Sequence, residues 1–395
     1  MSNYVDDHQS KNPNPAPDLA CVSASSGLAA LCADLARAPA IAVDTEADSL
    51  YSYFEKVCLL QLSTRAADYV VDVLAVSQQV KMLAPFFADA QVEKVFHAAE
   101  YDILCLKRDY QFTFNGIFDT MVAARILGWK NVGLGNILHE RFDVTLNKKM
   151  QRADWGHRPL SAEQLAYARD DTRYLLALRD LQIVELQNAG RLEEAREEFE
   201  RLTRVEPTPR RFDPDAYWNV PGARDLDPAG LGVLRELFRF RDAQARKEDR
   251  PPFKVLSDAA LLRLAAARPT SPRALAQVSG IPSYVLQRYR AAFLDATARG
   301  IAAPQHAQPR PHLRGQPPLD NSARTRLVQL KEWRKRRAAT RGVEPDVIVS
   351  NDVLYAAARK NPRTLDALVT ATGLGPWKTR EYGEEMLGVL WGKHR

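Results

Sequence analysis

An internal repeat in the C-terminal half of the chain limits the architectures that the chain can adopt. Shifting the sequence by 93 residues aligns two copies without a gap, in the pairs Leu237/Leu330, Phe240/Trp333, Arg241/Arg334, Pro252/Pro345, Ser257/Ser350, Leu261/Leu354, Pro269/Pro362, Leu275/Leu368, Gly280/Gly373 and Tyr289/Tyr382. Each copy combines an arginine-rich helical pattern, a proline turn, a helix that follows a serine, and shorter helices around a glycine. The sequence therefore predicts two small all-α bundles.

The N-terminal half has a different pattern, which predicts an α/β domain. Apolar runs at 40–46, 57–63, 67–73 and 93–99 are rich in Val, Leu and Ile and indicate strands. Helical patterns follow at 77–88, 100–108, 117–127, 133–141 and from 161 to about 203, the last with a start signal at Ser161. Strands and helices in this order favour a mixed central sheet flanked by helices.

Composition sets the domain boundaries that we expect. A chain of 395 residues exceeds what one core usually fills, and two segments rich in proline interrupt it. We expect a disordered lead-in at 1–19, the α/β domain at 20–203, a linker at 204–228, the first bundle at 229–300, a Pro-rich linker at 301–322 and the second bundle at 323–395.

Several classes of protein are excluded or disfavoured by composition. No apolar run is long enough to predict a transmembrane helix, and the polar, acidic N-terminus does not look like a signal peptide. Four scattered cysteines, Cys21, Cys32, Cys58 and Cys105, without a CxxC pair, disfavour a disulfide framework or a zinc site. We expect reduced thiols and a cytoplasmic protein.

Charge is distributed unevenly between the two halves. Residues 1–200 hold 20 Lys+Arg against 29 Asp+Glu, whereas residues 201–395 hold 35 against 20, within a net charge of +6. A basic half suggests a region that binds a polyanion. A solvated surface explains a charge excess equally well.

The strand at 40–46 ends in Asp44-Thr45-Glu46, which poses an electrostatic problem. Residues two apart on a strand share a face, so the two carboxylates lie side by side and repel each other. Further along the chain, Asp102 follows the strand at 93–99, and Tyr167 and Asp171 lie four apart on one helix face. Taken singly, acidic residues at helix starts are usually caps, and a Tyr–Asp pair is usually surface.

In this order the motifs resemble the DEDD 3′–5′ exonucleases, and the tyrosine resembles their DEDDy branch. The segments AIAVDTEADSLYSYFEKVCLLQLST, KVFHAAEYDILCLKRDY, DTMVAARILG and QRADWGHRPLSAEQLAYARDDTRYL resemble ribonuclease D over residues 20–203. The repeats, with RPPFKVLSDAALLRLAAARP in the first, resemble the helicase-and-RNase-D C-terminal (HRDC) domain. The resemblance implies an RNase H-like α/β exonuclease domain followed by two all-α HRDC domains.

The resemblance also implies the chemistry. Asp44, Glu46, Asp102 and Asp171 would hold two divalent metal ions, Mg²⁺ or Mn²⁺, which prefer hard oxygen ligands and relieve the repulsion between carboxylates. Tyr167 would position the attacking water, because a phenol with a pKa near 10 is a weak base. The expected reaction is hydrolysis of RNA from its 3′ end with release of nucleoside 5′-monophosphates.

Residues near these motifs are candidates for further functions. For substrate binding we expect Thr45, through its backbone N–H, and Lys148, Gln151, Arg152 and Trp155. His97 and Asp119 are candidates for supporting the metal ligands, and a structural function is equally open for both. Asp170, next to Asp171, points elsewhere on the helix and is interpreted as surface.

The basic repeats fit RNA binding through phosphate contacts, which depend on salt and tolerate many sequences. The candidate residues are Arg235, Arg239, Arg241, Arg246, Lys247, Arg250, Lys331, Arg334, Lys335, Arg336, Arg337 and Arg341. Packing against protein is the alternative. The expected partner is RNA with a free 3′ end, and the family points to tRNA precursors. We expect a monomer and no membrane contact.

Two other functions stay open at this point. The nuclease could act on DNA 3′ ends, although the sequence has no polymerase module and no P-loop. The chain could also be an inactive scaffold that binds nucleic acid, although all four carboxylates and the tyrosine are present.

Overall fold

The computed structural model describes residues 19–209, 211–305 and 318–392. The predicted disordered lead-in, apart from its last residue, and the central part of the predicted Pro-rich linker lie outside these ranges. The described residues form two compact units. One contains residues 19–47, 57–207 and 318–392, and the other contains residues 48–56, 208–209 and 211–305.

A six-stranded mixed sheet forms the centre of the first unit. Its strands are β1 (Leu19–Val22), β2 (Ala40–Ala47), β3 (Val57–Ser63), β4 (Asp68–Val71), β5 (Glu93–Phe96) and β6 (Ile117–Asp119). The spatial order is β1-β4-β3-β2-β5-β6. Strand β3 runs antiparallel to both β2 and β4, and the other pairs are parallel. The predicted mixed α/β fold is therefore confirmed.

Among the described residues, nine α-helices of this unit lie in the α/β domain, within residues 19–207. They are α1 (Ser25–Leu35), α2 (Val73–Val76), α3 (Ala84–Ala88), α4 (Glu100–Tyr110), α5 (Thr120–Ile126), α6 (Leu134–Phe142), α7 (Ala162–Arg173), α8 (Leu175–Asn188) and α9 (Leu192–Thr203). A 3₁₀ helix at Ser77–Leu83 precedes α3.

The two faces of β2 pack against different sets of these helices. Ile41 and Val43 point into a core that includes side chains of α1 and α4. Ala42 points the other way, into a core that contains residues of α5, α8 and α9. By strand alternation Asp44 and Glu46 share the face of Ala42, and the fold thus directs both carboxylates toward the helices that follow residue 160.

The sequence analysis misplaced several elements in this domain. It missed β1 and α1, and it treated 117–127 as one helix, whereas Ile117–Asp119 pairs with β5 before α5 begins. It also predicted one long stretch from 161 to 203, which is three helices. Helix α8 ends before Gly190, whose φ of +65° leaves the helical region.

The second repeat belongs to the same unit as the sheet. Its helices are α16 (Asn321–Arg341), α17 (Pro345–Ile348), α18 (Asn351–Lys360), α19 (Leu365–Thr372) and α20 (Pro376–Trp391). Its residues contact α5 and α9 of the α/β domain: Arg125 pairs with Asp346, and Arg341 pairs with Glu194. Helix α16 begins inside the predicted linker 301–322.

The first repeat forms the second unit together with residues 48–56. Its helices are α10 (Pro228–Lys247), α11 (Pro252–Val255), α12 (Asp258–Ala267), α13 (Pro272–Ala276), α14 (Ser283–Arg288) and α15 (Arg290–Ala302). Residues 204–228, predicted to be a linker, contain two 3₁₀ turns, Ala216–Asn219 and Ala223–Asp225. Tyr217 of the first turn is fully buried in the core of this repeat. Part of that segment is therefore built into the bundle.

Candidate active site

Asp44 and Glu46 leave the same face of β2 near its C-terminal end. The strand pairs with β3 on one side from Ala42 to Ala47, and with β5 on the other side from Ala40 to Ala42. Beyond Ala42 one edge of β2 is therefore not paired with β5, and both carboxylates lie in this part of the strand. The register shifts between Glu46 and Ala47, where the regular ladder ends.

Helix α7 carries the third carboxylate, Asp171, and the tyrosine, Tyr167. Ser161 and Gln164 form a reciprocal capping box at its start. Tyr167 and Asp171 lie one turn apart on the face that packs against the sheet, and the phenol is hydrogen-bonded to Asp171. One carboxylate oxygen from each of Asp44, Glu46 and Asp171 lies within 4.8 Å of the others. Such a cluster of carboxylates matches the ligand set of a divalent cation.

Asp102 reaches the site from the first turn of α4. Its side chain is buried and accepts a hydrogen bond from the Thr45 hydroxyl. The turn before α4 is held by Asp119, which accepts the backbone N–H of Ala98 at 3.1 Å and of Ala99 at 2.7 Å. Thr45 and Asp119 together fix where Asp102 lies relative to β2.

Burial and mutual repulsion strongly perturb the four carboxylates. Burial first, and then the charge of Asp171, raises the pKa of Asp44 well above its ordinary value. Burial with the charges of Asp44, Asp171 and Asp102 raises the pKa of Glu46 to about 10. Burial also raises the pKa of Asp102 well above its ordinary value. The pKa of Asp171 rises to about 7, through burial and then the nearby charge of Asp170.

The donor set fits divalent cations. No lysine or arginine in the described ranges forms an ion pair with Asp44, Glu46, Asp102 or Asp171. Oxygen ligands without Cys or His suit Mg²⁺ or Mn²⁺ rather than softer metals. A bound cation would supply the positive charge that the protein itself does not place there.

A cavity of about 500 Å³ opens onto these carboxylates. Of the predicted neighbours, Thr45, His97, Lys148 and Gln151 line it. His97 contacts Thr120, with 2.9 Å between Nδ1 and Oγ1, and burial lowers its pKa. These positions agree with the predicted neighbourhood, and their functions stay predictions.

Trp155, Arg152 and Asp170 lie differently from what we expected. Trp155 is only 2% exposed, and its ring centroid lies 5.9 Å from that of Tyr167, which disfavours the predicted contact with substrate. Arg152 is not among the described residues that line the cavity. Asp170, interpreted as surface, is half-buried and paired with Arg169 at 3.0 Å.

The cavity also contains residues that the sequence analysis did not select. Tyr101 lines it while 48% exposed, and Asn136 and Asn147 line it as well. An aromatic residue directly before Asp102 at a helix start was a signal for Tyr101. The two asparagines carried no such signal, because their place depends on how α6 and the loop after it fold back.

The structure corrects part of the predicted basic surface of the repeats. Arg241 is buried and donates to the Leu256 carbonyl and to Asp258, and Arg334 at the equivalent position donates to the Val349 carbonyl and to Asn351. Arg341 is paired with Glu194. These three arginines are therefore structural. Exposed basic residues remain in both copies: Arg239, Arg246 and Lys247 in the first, and Lys331, Lys335 and Arg336 in the second.

The fold and site together define a DEDD-type 3′–5′ exonuclease, a class that depends on divalent cations. A family model described as 3′–5′ exonuclease matches residues 19–183, and one described as HRDC domain matches residues 230–297 and 323–390. The chain belongs to the ribonuclease D family of 3′–5′ exoribonucleases, with two HRDC domains.

Individual relatives support this assignment. A ribonuclease D from Gluconacetobacter diazotrophicus is 28% identical over 379 residues, which cover 95% of this chain and 94% of the relative. The catalytic core of RRP6 from Trypanosoma brucei is 31% identical with a TM-score of 0.69, covering 74% of this chain and 83% of that one. Escherichia coli RNase D, at 22% identity and a TM-score of 0.63, covers 96% of this chain and all of that one, and supports the fold.

Proposed function

We propose that the chain removes nucleotides from RNA 3′ ends by hydrolysis that depends on two divalent cations, Mg²⁺ or Mn²⁺, and releases nucleoside 5′-monophosphates. Asp44, Glu46, Asp102 and Asp171 would hold the cations. The observation that carries the proposal is the convergence on one cavity of these half-buried or buried carboxylates, which have raised pKa values and form no ion pair with a lysine or arginine among the described residues. Bound cations would activate water and neutralise charge at the phosphate and the leaving oxygen.

Tyr167 is proposed to position the attacking water by hydrogen bonding. Burial and three neighbouring carboxylates raise the pKa of its phenol above the ordinary value. A phenol that stays protonated at neutral pH is better suited to orient the water by a hydrogen bond than to act as a general base. Its hydrogen bond to Asp171 and the packing of Trp155 against its ring hold it in one orientation.

Substrate would enter the cavity with its 3′-terminal nucleotide. The volume of about 500 Å³ lies within the range of small-ligand pockets. We propose that Lys148 contacts a phosphate, that Gln151 and the Thr45 backbone bind the nucleotide, and that the exposed ring of Tyr101 stacks on a base. His97 would support the cavity wall through Thr120, and Asp119 would support Asp102 through the turn before α4.

We further propose that the substrates are tRNA precursors, bound in part by the exposed basic residues of the repeats, and that the chain acts as a cytoplasmic monomer. The ribonuclease D relatives support the choice of RNA. The four cysteines form no disulfide among the described residues, which agrees with a reducing compartment. No helix in the described ranges is long and apolar enough to cross a membrane.

The test uses the full-length chain with matched single-stranded RNA and DNA oligonucleotides and a tRNA precursor with a 3′ extension. We expect trimming of RNA from the 3′ end that requires Mg²⁺ or Mn²⁺, stops with chelator and disappears in Asp44→Asn. Preferential trimming of DNA would favour the DNA alternative. Binding of RNA without any trimming would favour the scaffold, and the absence of precursor trimming would overturn the tRNA assignment.

A further inference from the structure

Gln61 lies in the centre of β3 directly opposite Asp44 of β2. The two residues are paired in the antiparallel register, so their side chains leave the same face of the sheet. Directly opposite residues have Cβ atoms about 4.5–5.5 Å apart, which is within reach of a glutamine amide. The diagonal neighbours Ala42 and Glu46 lie farther away, at about 7–8 Å.

Helix α7 covers this face of β3 on both sides of Gln61. Ser63, two residues further along the strand, is hydrogen-bonded to Thr172 at 2.7 Å between the hydroxyl oxygens. Leu59, two residues before, belongs to the same apolar cluster as Ala168. Gln61 is therefore enclosed between Asp44 and the turn of α7 that carries Asp171.

The amide of Gln61 is completely buried and has no partner. The residue is 0% exposed, and both Nε2 and Oε1 are without a hydrogen bond. A buried polar atom without a partner destabilises the fold, and an apolar side chain of similar volume would avoid this cost. The neighbouring hydroxyls on this face already bond to each other. The carboxylate of Asp44 is the acceptor directly opposite.

We propose that Gln61 is a positioning residue whose amide N–H donates to the Asp44 carboxylate in the metal-loaded site. This inference rests on the proposed function, because it assigns Gln61 to the carboxylate that would hold the cations. Ligating carboxylates are commonly fixed by an outer hydrogen bond, and losing that partner lowers metal affinity about 10–100-fold. Gln61 would thus act on the reaction through Asp44 rather than by touching RNA.

The experiment measures metal binding directly, by calorimetric titration of Mn²⁺ into the metal-free full-length chain. Gln61→Met keeps the approximate volume and removes the amide. Ser63→Ala is the matched control, since it loosens the contact between β3 and α7 on the same face without facing Asp44. We expect Mn²⁺ affinity about 10–100-fold lower in Gln61→Met, unchanged affinity in Ser63→Ala, and an unchanged KM for RNA at saturating Mn²⁺.

The outcomes separate this inference from the proposed function. Wild-type affinity in Gln61→Met, with a normal or raised melting temperature, overturns the inference alone and leaves Gln61 as core filling. Failure of the wild-type chain to bind Mn²⁺ through Asp44 overturns both. If Gln61→Met does not fold, Gln61→Leu is titrated in the same way, and tight binding by that variant also overturns the inference.

Discussion

Two clusters of carboxylates within one compact unit differ in whether the protein supplies partners for their negative charge. The first consists of the candidate active-site residues Asp44, Glu46, Asp102 and Asp171. The second, on α9, consists of Glu193, Glu194, Glu197 and Glu198. Every member of the second cluster is bound by a cationic side chain or a backbone N–H of the second repeat. No lysine or arginine among the described residues forms an ion pair with a member of the first cluster.

The glutamates of α9 are bound by specific groups of the second repeat. Glu194 is fully buried and bound by Arg341 at 2.6 Å, and Glu198 binds Lys378 at 2.6 Å. Glu197 accepts the first backbone N–H groups of α20, from Trp377 at 2.6 Å and Lys378 at 3.2 Å. A Cβ on Gly375 would overlap the Glu197 carboxylate, so a larger residue at this position would require that side chain to move.

The difference fits the functions that we propose for the two clusters. The charges on α9 are neutralised by other groups of the protein, because an unpaired buried charge is strongly destabilising. The charges of the first cluster would be neutralised by exogenous cations, at the expense of stability in their absence. The five predictions below test this contrast, from the largest expected effect to the smallest.

Asp44→Asn should abolish the function of the first cluster while making the fold more stable. We expect kcat/KM for RNA to fall about 10³-fold or more, since each 1.36 kcal/mol of lost transition-state stabilisation is tenfold and metal ions supply several kcal/mol. Removal of one repelling charge should raise the unfolding free energy of the metal-free chain by about 0.5–2 kcal/mol. RNA trimming and urea unfolding check both parts. A destabilised Asp44→Asn variant would contradict the contrast.

Arg341→Met should have the opposite effect on stability. It removes the short ion pair of the buried Glu194 and leaves only Arg191, at 3.9 Å, as an ion-pair partner among the described residues. Breaking one side of a buried pair costs about 3–5 kcal/mol. The control Arg336→Met removes an exposed arginine from the same helix and should change the urea midpoint little. The double variant Arg341→Met/Glu194→Leu should recover most of the loss. A mild effect of Arg341→Met alone would show that Glu194 is solvated.

The two copies of the repeat carry opposite charges at the position that binds Glu194 in the second copy. In the 93-residue register, Glu248 of the first copy occupies the position of Arg341, and Tyr289 that of Tyr382. Tyr289 donates its hydroxyl proton to Glu248, whereas Arg341 donates to the hydroxyl oxygen of Tyr382 and also reaches Glu194. The same position serves its own bundle in one copy and binds the α/β domain in the other.

The response to pH should also separate the clusters. A carboxyl group whose pKa is raised in the folded state stabilises it below the unfolded pKa, and that stability is lost as pH rises through the folded pKa. With the pKa of Asp171 raised from 3.8 to about 7 and that of Glu46 raised from 4.5 to about 10, the metal-free chain should lose stability from about pH 4 to about pH 10. Saturating Mg²⁺ should oppose this loss, by about 2.7 kcal/mol at 100 times its Kd. Melting temperatures across this range, with chelator or Mg²⁺, measure it; equal slopes would contradict the proposed metal site.

Much of the site was predictable from local sequence. The strand that ends in Asp44-Thr45-Glu46, and the i,i+4 spacing of Tyr167 and Asp171, follow from periodicity that extends over a few residues. Contacts set by the order of strands were not predictable. The pairing of Gln61 with Asp44 depends on the β2–β3 register, and strand β6 is three residues whose pairing partner is β5. Whether an arginine such as Arg341 is structural or free to bind phosphate depends on which acidic side chain the tertiary fold places next to it.

The acidic cavity should bind RNA with help from aromatic stacking rather than from charge alone. Lys148 is the only lysine or arginine among the described residues that line it, so the ring of Tyr101 has to contribute to affinity. Tyr101→Ala should raise KM for an RNA oligonucleotide by the equivalent of about 1–3 kcal/mol, with kcat little changed. Tyr101→Phe is the control and should keep the wild-type KM. A fall in kcat without a rise in KM would place Tyr101 in support of Asp102 instead.

The smallest effect should come from an ion pair that differs from Arg341–Glu194 in exposure. Arg380 and Glu193 are 2.7 Å apart, but their side chains are 65% and 71% exposed. Water already solvates both charges, so Arg380→Ala should lower the unfolding free energy by only about 0.2–1 kcal/mol, and less in high salt. Urea unfolding at low and high salt measures this. A loss as large as that of Arg341→Met would show that α9 is held by the number of its ion pairs and not by the burial of one.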